Sequence, residues 1–382
     1  MNAVIAQSDV ATAYGWGLEA LWNGLLSGAT AIRATDRFAA RGFSSDQAAM
    51  ISDLAVEPGQ SRVWAGLKRI LSPIAGKLDP LTPVIVATTT GEIEYVERAV
   101  LEHSPALLRD SRPGLLLQRV KDFLGLRAAG LAMSSACASS AAALTRAASM
   151  VRTGQAPSVL LVACDCVSEF VYSGFSTLFS LSAGPARPFD CQRSGLSLGE
   201  AFAWALVTSG GAGISILGWG STTDAVHMTA PARNGAGLLR AINKALAMAG
   251  RSADDVALIA AHGTATSYSD AMEMVAFGAV MGRPRPVFSV KGGVGHTLAP
   301  AGLVQILVAG RALSLGIAPP TVGLSSPDDI AAGWVSAVPR PLALGTVALS
   351  TNSGFGGVNT AVLLAADASP SRGGGHVGGK PS

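Results

Sequence analysis

Three short stretches of this sequence combine a reactive side chain with a neighbourhood that would open it to a ligand. The first is Ala132-Met133-Ser134-Ser135-Ala136-Cys137-Ala138-Ser139-Ser140. Gly130 to Met133 reads as a buried strand end, and the run of Ala and Ser through Leu144 to Val151 reads as a helix. A thiol at such an elbow faces the positive end of the helix dipole, which favours the nucleophilic thiolate. The stretch also describes a buried structural cysteine, since free Cys is among the most buried residue types. The second and third stretches are Ala260-Ala261-His262-Gly263-Thr264-Ala265-Thr266 and Gly292-Gly293-Val294-Gly295-His296-Thr297. Each puts a histidine on a glycine-containing loop after an apolar run of strand length. Open α/β sheets bind ligands at that end of their strands, and glycine lets the backbone come close. Either histidine alone is an ordinary loop residue; the pair is a candidate site. Lys291, five positions before His296, reads as a solvated lysine or as a cation aimed into that site. The loop Asn352-Ser353-Gly354-Phe355-Gly356-Gly357-Val358-Asn359 is either a tight turn or a source of backbone N–H groups for an oxyanion.

Short apolar strands must position these loops. Residues 2–30 read as a short strand, a turn at Tyr14-Gly15-Trp16-Gly17 and a helix; further strands are expected at 83–87, 130–133, 157–163 and 201–208, the last partnered by 214–219. More follow at 256–261, 286–290, 347–350 and 358–365. Helices are expected at 18–26, 61–71, 92–108, 114–124, 139–151, 237–248, 272–281 and 301–315, with 33–60 as loop and 170–200 rich in Gly, Ser and aromatics. All-apolar strands alternating with helices predict an α/β protein with largely parallel sheets buried on both faces. Strand, reactive loop and helix recur around Cys137, His262 and His296, which hints at two similar halves. The tail, 367–382, is low-complexity and is expected to be disordered, His376 with it.

Composition narrows the function class. The 382 residues are 49% hydrophobic and 14% charged, with 45 glycines. Charge is low against the ~25% of an average soluble protein, which points to a large core and an oligomeric interface. Mean hydropathy is +0.40, yet the apolar runs fall short of the ~18 residues a membrane span needs. No secretory signal is visible, and four cysteines are too few for a disulfide framework and lack metal-finger spacing. A cytoplasmic protein without a metal site is expected. A net charge of +3 is too mild to argue for nucleic acid. Cys164, Cys166 and Cys191 read as core or loop thiols, and His103 and His227 as structural.

Taken in order, the motifs resemble the β-ketoacyl-acyl-carrier-protein synthases, elongating condensing enzymes of the thiolase superfamily. The match is carried by Ser135-Ala136-Cys137-Ala138-Ser139, by His262-Gly263-Thr264-Ala265-Thr266 with Asp270, by Lys291-Gly292-Gly293-Val294-Gly295-His296, and by Gly354-Phe355-Gly356-Gly357-Val358-Asn359. Arg187-Pro188-Phe189-Asp190 and His227-Met228-Thr229-Ala230-Pro231 look most like the fatty-acid branch and its type II polyketide relatives. The resemblance implies a thiolase-like fold: two similar βαβαβ halves, 1–209 with the cysteine and 210–366 with the histidines, in α-β-α-β-α layers. It implies Cys137 as acyl-accepting nucleophile, and neutral His262 and His296 as N–H donors to an enolate. Lys291 would orient the loop of His296 and add positive field. Phe355 and Gly356 would form the gate and oxyanion hole with the Cys137 N–H. Thr264 and Thr266 would hold a pantetheine arm, with Ser353 also lining the substrate site. No tightly bound cofactor is implied; substrates arrive on the phosphopantetheine of an acyl carrier protein. A homodimer or a heterodimer with a second ketosynthase-like chain is expected.

Several positions depart from the family pattern. Ser353 stands where a first Phe is usual, and Gln305 where fatty-acid members often have Glu, which questions a Lys–Glu link in the site. Ala299-Pro300-Ala301-Gly302 replaces Gly-Ala-Ala-Gly, and the N-terminal region is short. These point to a specialised pathway. The alternative is a non-catalytic, chain-length-determining partner subunit, against which Cys137, His262, His296 and Lys291 all speak. Lys68, Arg69, Arg119, Lys121 and Arg127 are candidates for a basic face toward an acidic carrier protein.

Overall fold

The computed structural model describes residues 2–35, 37, 42, 43, 45–343 and 346–366. The tail expected to be disordered, 367–382, lies outside them. Besides the two-residue strand Gly15–Trp16, ten strands build the central sheet. They are β1 (Ala3–Thr12), β2 (Val84–Ala87), β3 (Gly130–Met133), β4 (Ser158–Asp165) and β5 (Ala201–Ser209), then β6 (Ile214–Thr223), β7 (Val256–Ala260), β8 (Val287–Phe288), β9 (Val347–Gly354) and β10 (Val358–Ala366). The order is β8-β7-β9-β10-β6-β1-β5-β4-β2-β3. Read outward from the centre, β1-β5-β4-β2-β3 and β6-β10-β9-β7-β8 follow the same connectivity. The two sets meet at an antiparallel β1–β6 pair, Ala3 opposite Ile216.

Helices α1 (Leu18–Leu26), α2 (Arg62–Leu71), α3 (Glu94–Leu101), α4 (Pro113–Leu124), α5 (Ser139–Arg152), α6 (Glu169–Thr177), α7 (Ala236–Ala249), α8 (Ser267–Met281), α9 (Lys291–Val294) and α10 (Ala301–Leu315) complete the layers. α5 and α10 pack on each other between the two halves of the sheet, α2 and α4 cover the outer face of one half, and α7, backed by α8, covers the other. The middle layer explains its own sequence. A helix enclosed on all sides is apolar all round, and Leu303, Val304, Ile306, Leu307 and Val308 of α10 are all fully buried. The α5–α10 contact is close because its residues are small: a Cβ on Gly302 would lie 2.8 Å from the Ala141 Cβ. Among the described residues no helix is long and apolar enough to cross a membrane.

The structure corrects several local expectations. Strand pairs are parallel only in the outer part of each half, β2 with β3 and β4, and β7 with β8 and β9. The centre is antiparallel. Uninterrupted apolar runs report burial on both faces, and helices cover these antiparallel strands as fully as parallel ones. Residues 214–219 pair with β1 and β10, not with β5, because β1 lies between. The strand before Cys137 is not buried: β3 is the sheet edge, with Leu131 46% exposed. The helix expected over 92–108 stops at Leu101. His103 takes φ +50°, and Pro105, which has no N–H to donate, opens a separate 3-10 turn over Pro105–Arg109. Inside 33–60, Arg33–Ala34 and Gln47–Ala49 form short strands, the latter paired with Leu198–Gly199. Part of 170–200 is helix α6.

Candidate active site

The parallel strands of each half end at one side of the sheet, so the loops after β2, β3, β7 and β8 converge. Asp165, at the end of β4, ties two of these loops together, the one after β2 and the one after β8. Its carboxylate accepts from Thr88 Oγ1 and Thr89 Oγ1 (both 2.7 Å), from the Thr89 amide, and from the Ala299 amide just past His296 (2.9 Å).

Cys137 sits between β3 and α5, one residue before the N-cap Ala138. Ala136 is held at φ +49°, a conformation disfavoured for a residue with a Cβ, and Ser139 Oγ braces the elbow by accepting from the Ser135 amide (2.8 Å) and donating to the Ala136 carbonyl (2.5 Å). Cys137 is 6% exposed. Backbone N–H groups of Phe355 and of Cys137 itself point at the sulfur. Gly354 permits that approach, since a Cβ there would come 3.0 Å from the Ser135 carbonyl oxygen and 3.2 Å from the Cys137 nitrogen. The helix end alone implied a thiolate. Burial instead pushes the thiol up to about 11, with Lys291 and the two N–H groups opposing it, so the resting group is the thiol.

His262 follows β7 on a loop gripped by one carboxylate. Glu273 of α8 accepts from the His262 amide (2.8 Å), the Gly263 amide (2.7 Å) and Thr351 Oγ1 (3.0 Å). Gly263 is needed at φ +44°, where a Cβ would meet Ser289 Cβ at 2.6 Å. Asp270 accepts from the Ala265 and Phe189 amides, and burial raises its carboxyl to about 7. His296 is set by a backbone bridge: its amide donates to the Ser197 carbonyl (2.7 Å) and its carbonyl accepts from the Gly199 amide (3.0 Å). Its Nδ1 accepts from the Leu298 amide (3.1 Å), which places the proton of the neutral ring on Nε2.

The two imidazoles stand edge to face, centroids 5.3 Å apart. Burial, with Lys291 next, holds both well below the usual histidine range, so both are neutral donors near pH 7. Lys291 is 1% exposed. Its ammonium donates to the His262 carbonyl and lies 3.3 Å from His262 Nδ1. It therefore braces His262 rather than the His296 loop. Burial lowers it to about 8 against the pull of Glu273, Cys137 and Asp270.

Cys137, His262, His296, Thr264, Thr266, Ser353 and Phe355 line one cavity of ≈ 360 Å³. The Thr264 and Thr266 hydroxyls pair at 2.9 Å, and Ser353 Oγ donates to Asn359 Oδ1 (2.7 Å). A second, more apolar cavity of ≈ 1030 Å³ lies behind it, lined by Val96, Val100, Leu101, Phe170 and Leu298. Cys137, Phe175, Leu178 and Phe355 border both, and the Phe355 and Phe175 rings meet at 5.6 Å between them. Gly356 departs from its expected role: its N–H donates to the Met228 carbonyl (2.7 Å). Gln305 does not reach Lys291; its partners are Ala260, Ser350, Thr351 and Asn352. The carboxylate facing Lys291 is Glu273. The sequence assigns no role of their own to Glu273, Asp165 or Asn352, the last named only as the start of the glycine-rich loop. Only Glu273 left a signal, as an acid inside the apolar run Met272 to Met281. Of the basic candidates, Arg69 is paired with Asp53 and stacked on Trp16, and Arg119 is paired with Glu92.

The sequence matches two family descriptions, "Beta-ketoacyl synthase, N-terminal domain" over residues 82–210 and "Beta-ketoacyl synthase, C-terminal domain" over 214–325. A Streptomyces rimosus protein, named for oxytetracycline polyketide synthesis as a beta-ketoacyl synthase, is 29% identical over 94% of this chain and 95% of its own length. The 3-oxoacyl-[acyl-carrier-protein] synthase 2 of Rhizobium meliloti is 30% identical over 63% of this chain and 62% of that protein. A chain of the ketosynthase–chain length factor complex of Xenorhabdus doucetiae superposes with TM-score 0.83 at 25% identity, covering 96% of this chain and 98% of that one. The first match carries the cysteine elbow and the second both histidine loops, and together they span more than half of the sequence, so the chain belongs to the β-ketoacyl synthase family of condensing enzymes.

Proposed function

We propose that the protein performs a decarboxylative Claisen condensation with Cys137 as nucleophile, on acyl chains delivered by an acyl carrier protein. The observation that carries this reading is the single cavity onto which Cys137 and two neutral imidazoles open. In the first half-reaction the Cys137 sulfur attacks the thioester carbonyl of an acyl-carrier pantetheine. The oxyanion forms against the Cys137 and Phe355 N–H groups, and the pantetheine sulfur leaves with the thiol proton. The acyl chain then occupies the apolar cavity behind the Phe355–Phe175 pair. In the second, malonyl-carrier protein enters past Thr264 and Thr266. Its carboxylate leaves as CO₂, and the electron pair of the broken C–C bond passes into the thioester enolate. His262 and His296 donate to that oxygen. Neutral donors suit the task because they stabilise the enolate without protonating it. The α-carbon attacks the acyl-Cys137 carbonyl, the C–S bond breaks, and the cysteine takes a proton from solvent. The product is a β-ketoacyl-carrier protein, in fatty-acid or specialised type II polyketide synthesis.

The same reading gives the chain a dimeric partner, itself or a second ketosynthase-like chain. Edge strand β3 exposes Leu131, and Val100, Leu101 and Phe170 are 66%, 73% and 60% exposed while lining the acyl cavity. A partner seated there would close the cavity and cover the edge. Intact mass spectrometry after incubation with acyl-carrier protein tests the reading. An acyl adduct on Cys137 is expected, and its absence with carrier protein and partner chain present refutes the nucleophile assignment. Cys137→Ala removes condensation and retains malonyl decarboxylation.

A further inference from the structure

Nδ1 of His262 faces two nitrogen donors on different elements: Lys291 Nζ from α9 at 3.3 Å, and Asn352 Nδ2 from β9 at 3.5 Å. The direction of the Asn352 carboxamide is set by Gln305 of α10. Both hydrogens of Gln305 Nε2 are taken up among three acceptors within reach, the Ala260 carbonyl (3.1 Å), Ser350 Oγ (2.8 Å) and the Thr351 carbonyl (2.8 Å). That leaves its Oε1 toward Asn352, where it accepts from Nδ2 at 3.3 Å. A flipped Asn352 would set two oxygens against each other, so it must present its NH₂. Its own Oδ1 has no hydrogen-bond partner among the described residues and is accommodated by the missing side chain of Gly302, where a Cβ would lie 3.0 Å away. Asn352 and Gln305 are both fully buried, and His262 is 3% exposed.

A ring nitrogen that accepts a hydrogen bond carries no proton, so a neutral imidazole held this way bears its proton on the other nitrogen. We propose that Asn352, aimed by Gln305, is a positioning residue that keeps the proton of neutral His262 on Nε2, the nitrogen left to face the cavity. The inference rests on the proposed function for its consequence, but the tautomer stands without it. His296 reaches the same state through the Leu298 amide; among the described residues His262 Nδ1 meets side-chain donors and no backbone donor. Four ionisable groups surround the ring: Lys291 on α9, Glu273 on α8 at the His262 amide, His296 on its loop, and Cys137 at the start of α5. Lys291 is the other donor to Nδ1, but its charge is lost above about pH 8. A carboxamide does not titrate, so Asn352 matters most where Lys291 is neutral.

The direct test is a long-range ¹H–¹⁵N correlation spectrum of ¹⁵N-histidine-labelled protein, which separates the two tautomers. The chain has five histidines, and His262→Ala assigns the signal. His262 is expected as the Nε2–H form from about pH 6.5 to pH 9. A protonated Nδ1 in the unaltered protein overturns the proposal and needs no variant. In Asn352→Leu the signal moves toward a tautomer mixture at the upper pH. Malonyl-carrier decarboxylation there falls about tenfold, the size of one net hydrogen bond in the transition state. Acylation of Cys137 falls much less. An unchanged spectrum with decarboxylation within about twofold of the parent also overturns it, since that is under half a kcal/mol. If the parent neither acylates nor decarboxylates, the functional reading fails, while the spectrum still decides the tautomer.

Discussion

Glu273→Gln is the most informative single change, because one buried carboxylate both shapes the His262 loop and opposes Lys291. The substitution keeps size and shape. It replaces one acceptor oxygen by an NH₂ where the surrounding groups, the His262 and Gly263 amides and Thr351 Oγ1, are all donors. One charge-assisted hydrogen bond is lost, worth about 1.5–3 kcal/mol, and one buried donor is left unpaired, at about 1–3 kcal/mol. A loss of about 3–5 kcal/mol is expected, a large share of the ~5–15 kcal/mol total of a typical protein. The change also acts on Lys291, because Glu273 is the largest influence holding the ammonium protonated against burial. Without that negative charge the lysine drops below about 8. The alkaline limb of malonyl decarboxylation therefore moves toward lower pH. Urea unfolding at pH 7 measures the first effect and a pH–rate profile the second. A stability change under about 1 kcal/mol with an unmoved alkaline limb would refute the role given to Glu273.

Lys291→Met separates stability from catalysis. The unfolded chain holds the lysine proton up to the ordinary value of 10.5, and the folded one only to about 8. Stability should therefore rise with pH across that window, and the variant should lose the rise; urea midpoints at both ends of the window show it. Decarboxylation by the variant should be slower and should lose its alkaline limb. Gly199→Ala tests the bridge that sets His296. Its Cβ would fall 2.0 Å from the Val294 carbonyl oxygen, a backbone atom, so the expected outcome is insoluble or unfolded protein, read by circular dichroism.

Much of the local chemistry was legible in order along the chain. The apolar runs located most strands and helices, and the glycines beside Cys137, His262, His296 and Phe355 marked loops that approach one another. Local pattern carries that information because helix and strand periods, turn residues and reactive side chains are properties of a few neighbouring residues. Strand direction and neighbours are not. β1 pairs with β5 and β6, some 200 residues away, and no feature of its ten residues names those partners. Burial on both faces looks the same in parallel and antiparallel strands, which is why the sheet was expected to be more parallel than it is.

The sequence by itself set the set of reactive groups: one cysteine at an elbow, two loop histidines, a lysine and a glycine-rich turn. Tertiary structure decided what state each group is in. The same burial that brings them to one cavity raises the Cys137 thiol, neutralises both imidazoles and weakens the Lys291 ammonium. It also decided which residues steady them. Glu273 grips the His262 loop and Asp165 ties Thr88 to Ala299, while Gln305 turns Asn352 toward His262. Desolvation and hydrogen-bond partners depend on atoms far apart in the chain, so they exist only once the halves of the sheet have closed around α5 and α10.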